Sequence, residues 1–125
     1  MYINAGYLNN SRTDFKDNST PLVVGSCGTY RLKTRPKLPT YWQKGRRDYQ
    51  ILYVANGKTH FWFDGREEIV SAGYMVLYKP EEIQKYVYYL EDNPEVFWIH
   101  FTGSDVKNIL AYHDISLDEH VFYCG

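Results

Sequence analysis

With 125 residues, 44% of them hydrophobic and 23% charged, the chain is long enough to build one domain around a real core. A formal net charge of −1 removes any global electrostatic case for nucleic acid or an anionic membrane as its main partner. Aromatic residues reach 18%, and the 13 tyrosines among them favour strands and a cavity tipped with hydroxyls.

The first twenty residues are rich in Asn, Ser, Asp and Thr and read as a flexible arm. Leu22 to Leu32, LVVGSCGTYRL, is β-branched and aromatic with glycines suited to a bulge. From Arg31 to Arg47 the segment RLKTRPKLPTYWQKGRR carries seven basic residues and no acid. Its prolines, Pro36 and Pro39, predict a solvated loop rather than a nucleic-acid site.

Tyr49 to Ala55, YQILYVA, is too short for a typical helix and reads as a buried strand ended by Asn56-Gly57. KTHFWF then runs to Asp64-Gly65, a dipeptide that accepts the positive φ of a two-residue hairpin. Glu67 to Ser71 returns, Ala72-Gly73 turns again, and YMVLYKP closes at Pro80, which has no N–H for a sheet ladder. Ile83–Leu90 and Glu95–Thr102 form a further pair, and a short helix capped by Ser104 follows, with Val106, Ile109 and Leu110 on one face. HVFYC is the last strand. Seven or eight short strands with almost no helix define a sandwich or barrel.

Cys27 and Cys124 lie far apart without CxxC or Cys/His spacing, so reduced, buried thiols are expected and zinc is not. The opening MYINAGYLNNSRTDF lacks the apolar core of a signal peptide, and no apolar run approaches the roughly 20 residues that cross a bilayer. A cytoplasmic protein without membrane contact is the expectation. The sequence stops on a strand with no closing element, which fits a piece of a longer protein.

The ordered motifs GRRDYQILYVANGKTHFWFDG, EEIVSAGYMVLYKPEEIQKY and PEVFWIHFTG resemble the N-terminal effector-binding domain of AraC-type transcription regulators, over roughly Pro21 to Gly103. The resemblance implies an all-β, cupin-like double-stranded β-barrel of jelly-roll type over 21–125, with a short helix near the C-terminus, behind an arm at 1–20 that can fold over bound effector through Tyr7 and Phe15. It implies binding of a small effector, often a sugar or related polar metabolite, whose signal passes to a helix-turn-helix DNA reader. No two adjacent amphipathic helices joined by a tight turn occur here, so DNA contact is expected only through that missing C-terminal domain. A homodimer is common in the family, through helices that would follow Gly125.

Several positions depart from the family. Gly73-Tyr74 replaces the usual Gly-Asp, Glu81 stands where a glycine usually follows the proline, and Gln84-Lys85 stand where a histidine usually precedes the tyrosine. Cupin enzymes hold a metal with two histidines one residue apart, a carboxylate and a later histidine, a donor set that leaves positions open for substrate. Tyr41–Arg46 contains no histidine, and His60, His100, His113 and His120 show no ligand spacing. No metal, cofactor or catalytic residue is therefore expected, and Ser26 and Cys27 carry no signature of an activated nucleophile.

By resemblance, Trp98 occupies the position of a ligand-stacking tryptophan and Tyr86 that of a ligand-contacting tyrosine. Strand alternation puts Val96, Trp98 and His100 on one face, so His100 shares the pocket if Trp98 lines it. Val96 replaces a ligand-binding histidine of the arabinose-responsive member, which argues against arabinose. Arg46 is the candidate bidentate anchor for hydroxyls or a carboxylate, with Arg35 and Arg47 as alternatives. Tyr53, on the face of Ile51 and Ala55, and Tyr30 complete the candidate ligand-binding set. The alternatives are a metal-dependent cupin isomerase or dioxygenase, and a dimerisation module whose vestigial pocket is filled by aromatic side chains.

Overall fold

A computed structural model describes residues 16–125 in full and, before them, the backbone of one strand at Tyr2–Tyr7. The strands are β1 (Tyr2–Tyr7), β2 (Val23–Arg31), β3 (Lys37–Trp42), β4 (Tyr49–Asn56), β5 (Lys58–Phe63), β6 (Arg66–Ser71), β7 (Tyr74–Tyr78), β8 (Gln84–Tyr89), β9 (Glu95–Thr102) and β10 (Val121–Tyr123). A 3-10 turn at Leu90–Asp92 links β8 to β9, and helix α1 spans Val106–Tyr112. The strands form two antiparallel sheets, ordered β1-β2-β9-β4-β7-β10 and β3-β8-β5-β6, the expected cupin-like barrel.

The predicted turns form where the sequence places them. Asp64 and Gly65 both have positive φ, 52° and 77°, so the β5–β6 hairpin turns in the mirror-image conformation that matches strand twist. Two segments differ from the sequence reading. Pro36 and Pro39 do not hold a loop throughout: Lys37–Trp42 forms β3, and Pro39 is tolerated because β3 is an edge strand paired on one side only, to β8. Tyr2–Tyr7 was assigned to the flexible arm, yet it pairs with β2 from Tyr2↔Arg31 to Tyr7↔Ser26. Backbone pairing along a regular edge needs little help from side-chain pattern. Phe15 and the rest of residues 8–15, like the side chain of Tyr7, lie outside the described residues.

Alternation sorts each strand into two faces. Inside the barrel, Leu52, Val54, Phe61, Val70, Val76, Val96 and the aromatic rings of Tyr78, Tyr86, Tyr88 and Trp98 form the main core. On the outer face of the large sheet, Tyr49, Leu77 and Phe101 pack against Val106 and Leu110 of α1. Each fully buried aliphatic or aromatic side chain contributes about 1.5–3 kcal/mol. Asp105, not Ser104, is the N-cap of α1. Ser104 instead donates its hydroxyl to the Thr20 carbonyl, tying the helix start to the segment before β2.

The basic segment is solvated as predicted: Arg31, Lys33, Arg35, Lys37, Lys44 and Arg47 are exposed, and Arg46 alone among its basic residues is buried. Both cysteines are free and exposed, which corrects the expectation of buried thiols. Cys27 lies on the outward register of β2 beside inward Ser26, and Cys124 follows the last strand. Among the described residues no helix is long and apolar enough to cross a membrane.

Candidate functional site

The barrel interior changes character along its length. At one end Val54 and Val96 sit side by side with Tyr30, facing Tyr88 and Val70 of the small sheet. At the other end a rung of Ser26, His100, Gln50 and Tyr78 runs across four neighbouring strands, β2-β9-β4-β7. Gln84, the first residue of β8, enters this end from the opposite sheet, with none of its surface exposed.

Arg46 closes this polar end. Gly45 makes its placement feasible: φ is 70° there, and a side chain would collide with the backbone carbonyl of Glu82. The loop before β4 therefore lies directly on the loop before β8, and the Glu81 amide donates to the Arg46 carbonyl at 2.6 Å. Glu81 itself adopts φ 68°, the left-handed conformation that explains why glycine is usual after this proline.

The Arg46 guanidinium turns inward and grips Asp48 with two parallel bonds, Nε to Oδ1 at 2.7 Å and Nη2 to Oδ2 at 2.9 Å. The pair is 5% and 2% exposed. His100 Nδ1 lies 3.7 Å from Asp48 Oδ1, beyond hydrogen-bonding distance. Burial first, and then the Arg46 charge, hold His100 down at about 3, so the imidazole is neutral. Asp48 would oppose this, but both of its oxygens are engaged by Arg46.

Aromatic rings line the rest. Trp98 stacks against Tyr30 at 5.9 Å between ring centroids and meets the His100 ring at 4.8 Å. Gly28 faces Trp98 across β2 and β9. Tyr86 stacks on Phe61 at 4.9 Å. Burial pushes the Tyr86 hydroxyl up, and the Thr40 and Gln50 side chains offset part of that rise. Of the six candidate site residues, Tyr30, Arg46, Tyr86, Trp98 and His100 thus share the barrel interior. Tyr53 does not: it lies on the outer register of β4, and its hydroxyl donates to the Gly125 carbonyl at 2.7 Å.

Sequence reasoning missed Asp48, Gln50, Gln84 and Ser26. The signal available was alternation: Asp48, Gln50, Leu52 and Val54 have one parity, which puts polar residues inward at one end of an otherwise apolar strand face. Several buried polar atoms here have no hydrogen-bond partner, among them Ser26 Oγ, Gln50 Oε1, both ends of the Gln84 amide, Trp98 Nε1 and His100 Nδ1. Each such atom costs about 1–3 kcal/mol when left unsatisfied. Folding alone gives no reason to assemble them.

Outside this end, a groove of about 470 Å³ is lined by Tyr41, Trp62, Phe63, Glu82, Lys85 and His120, among others. Phe63 joins groove to interior, stacking on His120 at 4.4 Å outside and on Phe61 at 6.0 Å inside. His120 Nε2 and Glu82 Oε2 lie 2.5 Å apart, which fixes the imidazole in the groove wall. A cupin metal centre does not fit these residues. Gln84-Lys85, where the family's histidine is expected, supply an amide and an ammonium instead, Arg46 engages both oxygens of Asp48, and among the described residues no three His, Cys, Asp or Glu side chains converge on one point.

A barrel with one apolar and one polar, aromatic-lined end is the architecture of a cupin-type ligand-binding domain. The sequence profile of the AraC-like ligand binding domain matches residues 26–119, and the chain belongs to that family. Among curated proteins none matches the chain. Solved structures share the fold. ToxT from Vibrio cholerae aligns with a TM-score of 0.56 at 18% identity, over 87% of this chain and 44% of ToxT. A cupin 2 conserved barrel protein from Salinispora arenicola aligns at 0.52 and 16% identity, over 89% of this chain and 84% of that one. The cupin domain of an XRE family transcriptional regulator from Enterobacter cloacae aligns at 0.51 and 11%, over 80% and 95%. The chain thus spans less than half the length of ToxT.

Proposed function

We propose that this chain is the sensing part of an AraC-type transcription regulator. It takes up a small polar metabolite, a sugar or a chemical relative, at the polar end of the barrel. Binding biases a conformational equilibrium that is read by a helix-turn-helix DNA-binding domain outside these residues, in a cytoplasmic, homodimeric regulator. The protein acts by binding, not by catalysis. Trp98 offers the apolar plate for C–H faces, with Tyr30 behind it, while Tyr86 and His100 offer neutral hydrogen-bonding groups. Arg46 acts through Asp48.

The observation that carries this reading is the set of unpartnered buried polar atoms concentrated toward the polar end of the barrel, Ser26 Oγ, Gln50 Oε1, the Gln84 amide and His100 Nδ1, against the Tyr88 hydroxyl at the other end. A ligand rich in hydroxyls satisfies them, which turns a folding cost into binding energy. Calorimetric titration of the 125-residue chain with neutral sugars, sugar acids and related metabolites tests it. Saturable one-to-one binding is expected, and metal-dependent turnover of any of these compounds would reverse the assignment.

One observation favours a second reading. The rings of Phe61, Tyr78, Tyr86 and Tyr88 form a continuous chain through the barrel, at 4.9 to 6.4 Å between centroids. That packing suits a dimerisation module with a vestigial pocket. A stable dimer that binds nothing in the same titrations would establish it.

A further inference from the structure

The two sheets differ in what covers their outer faces. On the large sheet, Val106 and Leu110 of α1 lie over Tyr49, Leu77 and Phe101. On the small sheet the outward positions form rows across β3, β8, β5 and β6. Tyr41, Lys85, Trp62 and Glu67 make one row, and Pro39, Val87, His60 and Ile69 make the next. Tyr41 is 62% exposed and Ile69 52%, so an aromatic and aliphatic stripe crosses a strand face that α1 leaves uncovered.

Charge divides this face across its width. The β3 edge is basic: Arg35, Lys37 and Lys44 are exposed, and no acid occurs from Arg31 to Arg47. The β6 edge is acidic, with Asp64, Glu67 and Glu68 exposed against the single cation Arg66. Edges of opposite sign flanking an apolar stripe complement a second copy of the same face. A two-fold axis in the plane of the face and along the strands lays the β3 edge of one copy over the β6 edge of the other. The in-plane two-fold across the strands would instead stack basic edge on basic edge.

We propose that the outer face of the small sheet is a homodimer interface, formed about the axis along the strands and wholly within these 125 residues. Each row then meets itself in reverse order. Tyr41 faces the partner's Glu67, Lys85 the partner's Trp62, and Pro39 the partner's Ile69. Within one copy the Lys85 ammonium already lies over the Trp62 ring at 5.2 Å, and the same cation–π pairing recurs across the axis. Strand addition at the free edge of β3 is blocked, because Pro39 has no N–H to offer and Lys37 brings a charge. The face is what remains for association. This contact goes beyond the receptor reading and does not depend on it.

Sedimentation velocity of the 125-residue chain at low salt tests the interface, with a monomer–dimer equilibrium as the expected result. Tyr41→Ser combined with Ile69→Ser, both at exposed positions that the fold tolerates, should weaken the dimer at least about tenfold. Charge supplies the sharper test. A variant with Lys37→Glu and Lys44→Glu has two acidic edges, and one with Glu67→Lys and Glu68→Lys has two basic edges. Each should be monomeric alone, and an equimolar mixture should form a heterodimer. A monomeric wild type, a dimer indifferent to these substitutions, or a mixture that stays monomeric would overturn the proposal. Species larger than a dimer would overturn the two-fold axis, which closes at two copies. Binding of a single-stranded oligonucleotide by a monomeric wild type, lost on Lys37→Glu with Lys44→Glu, would also overturn it and assign the basic edge to nucleic acid.

Discussion

At one end of the barrel, Val54, Val70 and Val96 are fully or almost fully buried and bring no polar side-chain atom with them. At the other, β4 and β9 deliver Gln50 and His100, and β8 delivers Gln84, to positions that are also buried. Two ends made largely from the same strands differ in what they do for the fold. The apolar end contributes burial free energy against the cost of one unpartnered hydroxyl, that of Tyr88. The polar end spends several buried polar atoms on contacts that the folded chain does not complete. A local violation of the rules that make a sequence fold is expected where recognition is built, and the contrast between the ends locates it.

Breaking the ion pair should have the largest effect. Asp48→Ala strands the Arg46 charge and should cost about 3–5 kcal/mol in urea unfolding, whereas Arg46→Met with Asp48→Leu should recover most of that loss. Failure of the double variant to recover would mean that the pair, rather than its uncompensated remnant, carries the stability. At the middle of the interior, Leu52→Ala should cost about 2–5 kcal/mol through the cavity it leaves, and no second substitution at the polar end should offset it.

A smaller effect separates the ends by pH. His100 sits near 3 in the folded chain against an ordinary 6.5, so between those values the unfolded chain takes up a proton that the folded chain refuses. The stability this group contributes is complete above its unfolded value and drains away as pH falls toward its folded one. Urea unfolding at about pH 7 and about pH 5 should show a shallower loss in His100→Gln than in the wild type. Parallel losses would contradict the neutral imidazole.

Much of the barrel was legible because hairpin signals were local. Asp64-Gly65 and Asn56-Gly57 announce their turns, and Glu95–Thr102 was bounded to the residue. β3 was hidden because Pro39 reads as a breaker unless its strand is known to be an edge, a fact set by tertiary order rather than by local sequence. In the site, the faces of β9 followed from alternation, which grouped Trp98 with His100. Tyr53 was misplaced because both faces of Tyr49–Ala55 are mostly apolar, and the polar parity of Asp48 and Gln50, which marks the inner face, reads as an outward one unless a polar interior is known. The grip of Arg46 on Asp48 depends on a left-handed Gly45 and a loop brought in from another strand pair, which no window of sequence displays.

The central claim is that the polar end is kept for a ligand and not for the fold, and Gln84 tests it most directly. Gln84→Met removes an amide with no partner from a fully buried position at nearly constant volume. Paired urea unfolding and calorimetric titration of this variant should show stability raised by about 1 kcal/mol together with loss of binding of the neutral sugar that the wild type takes up. Lower stability with undiminished affinity would show that the amide serves the fold, and would contradict the account.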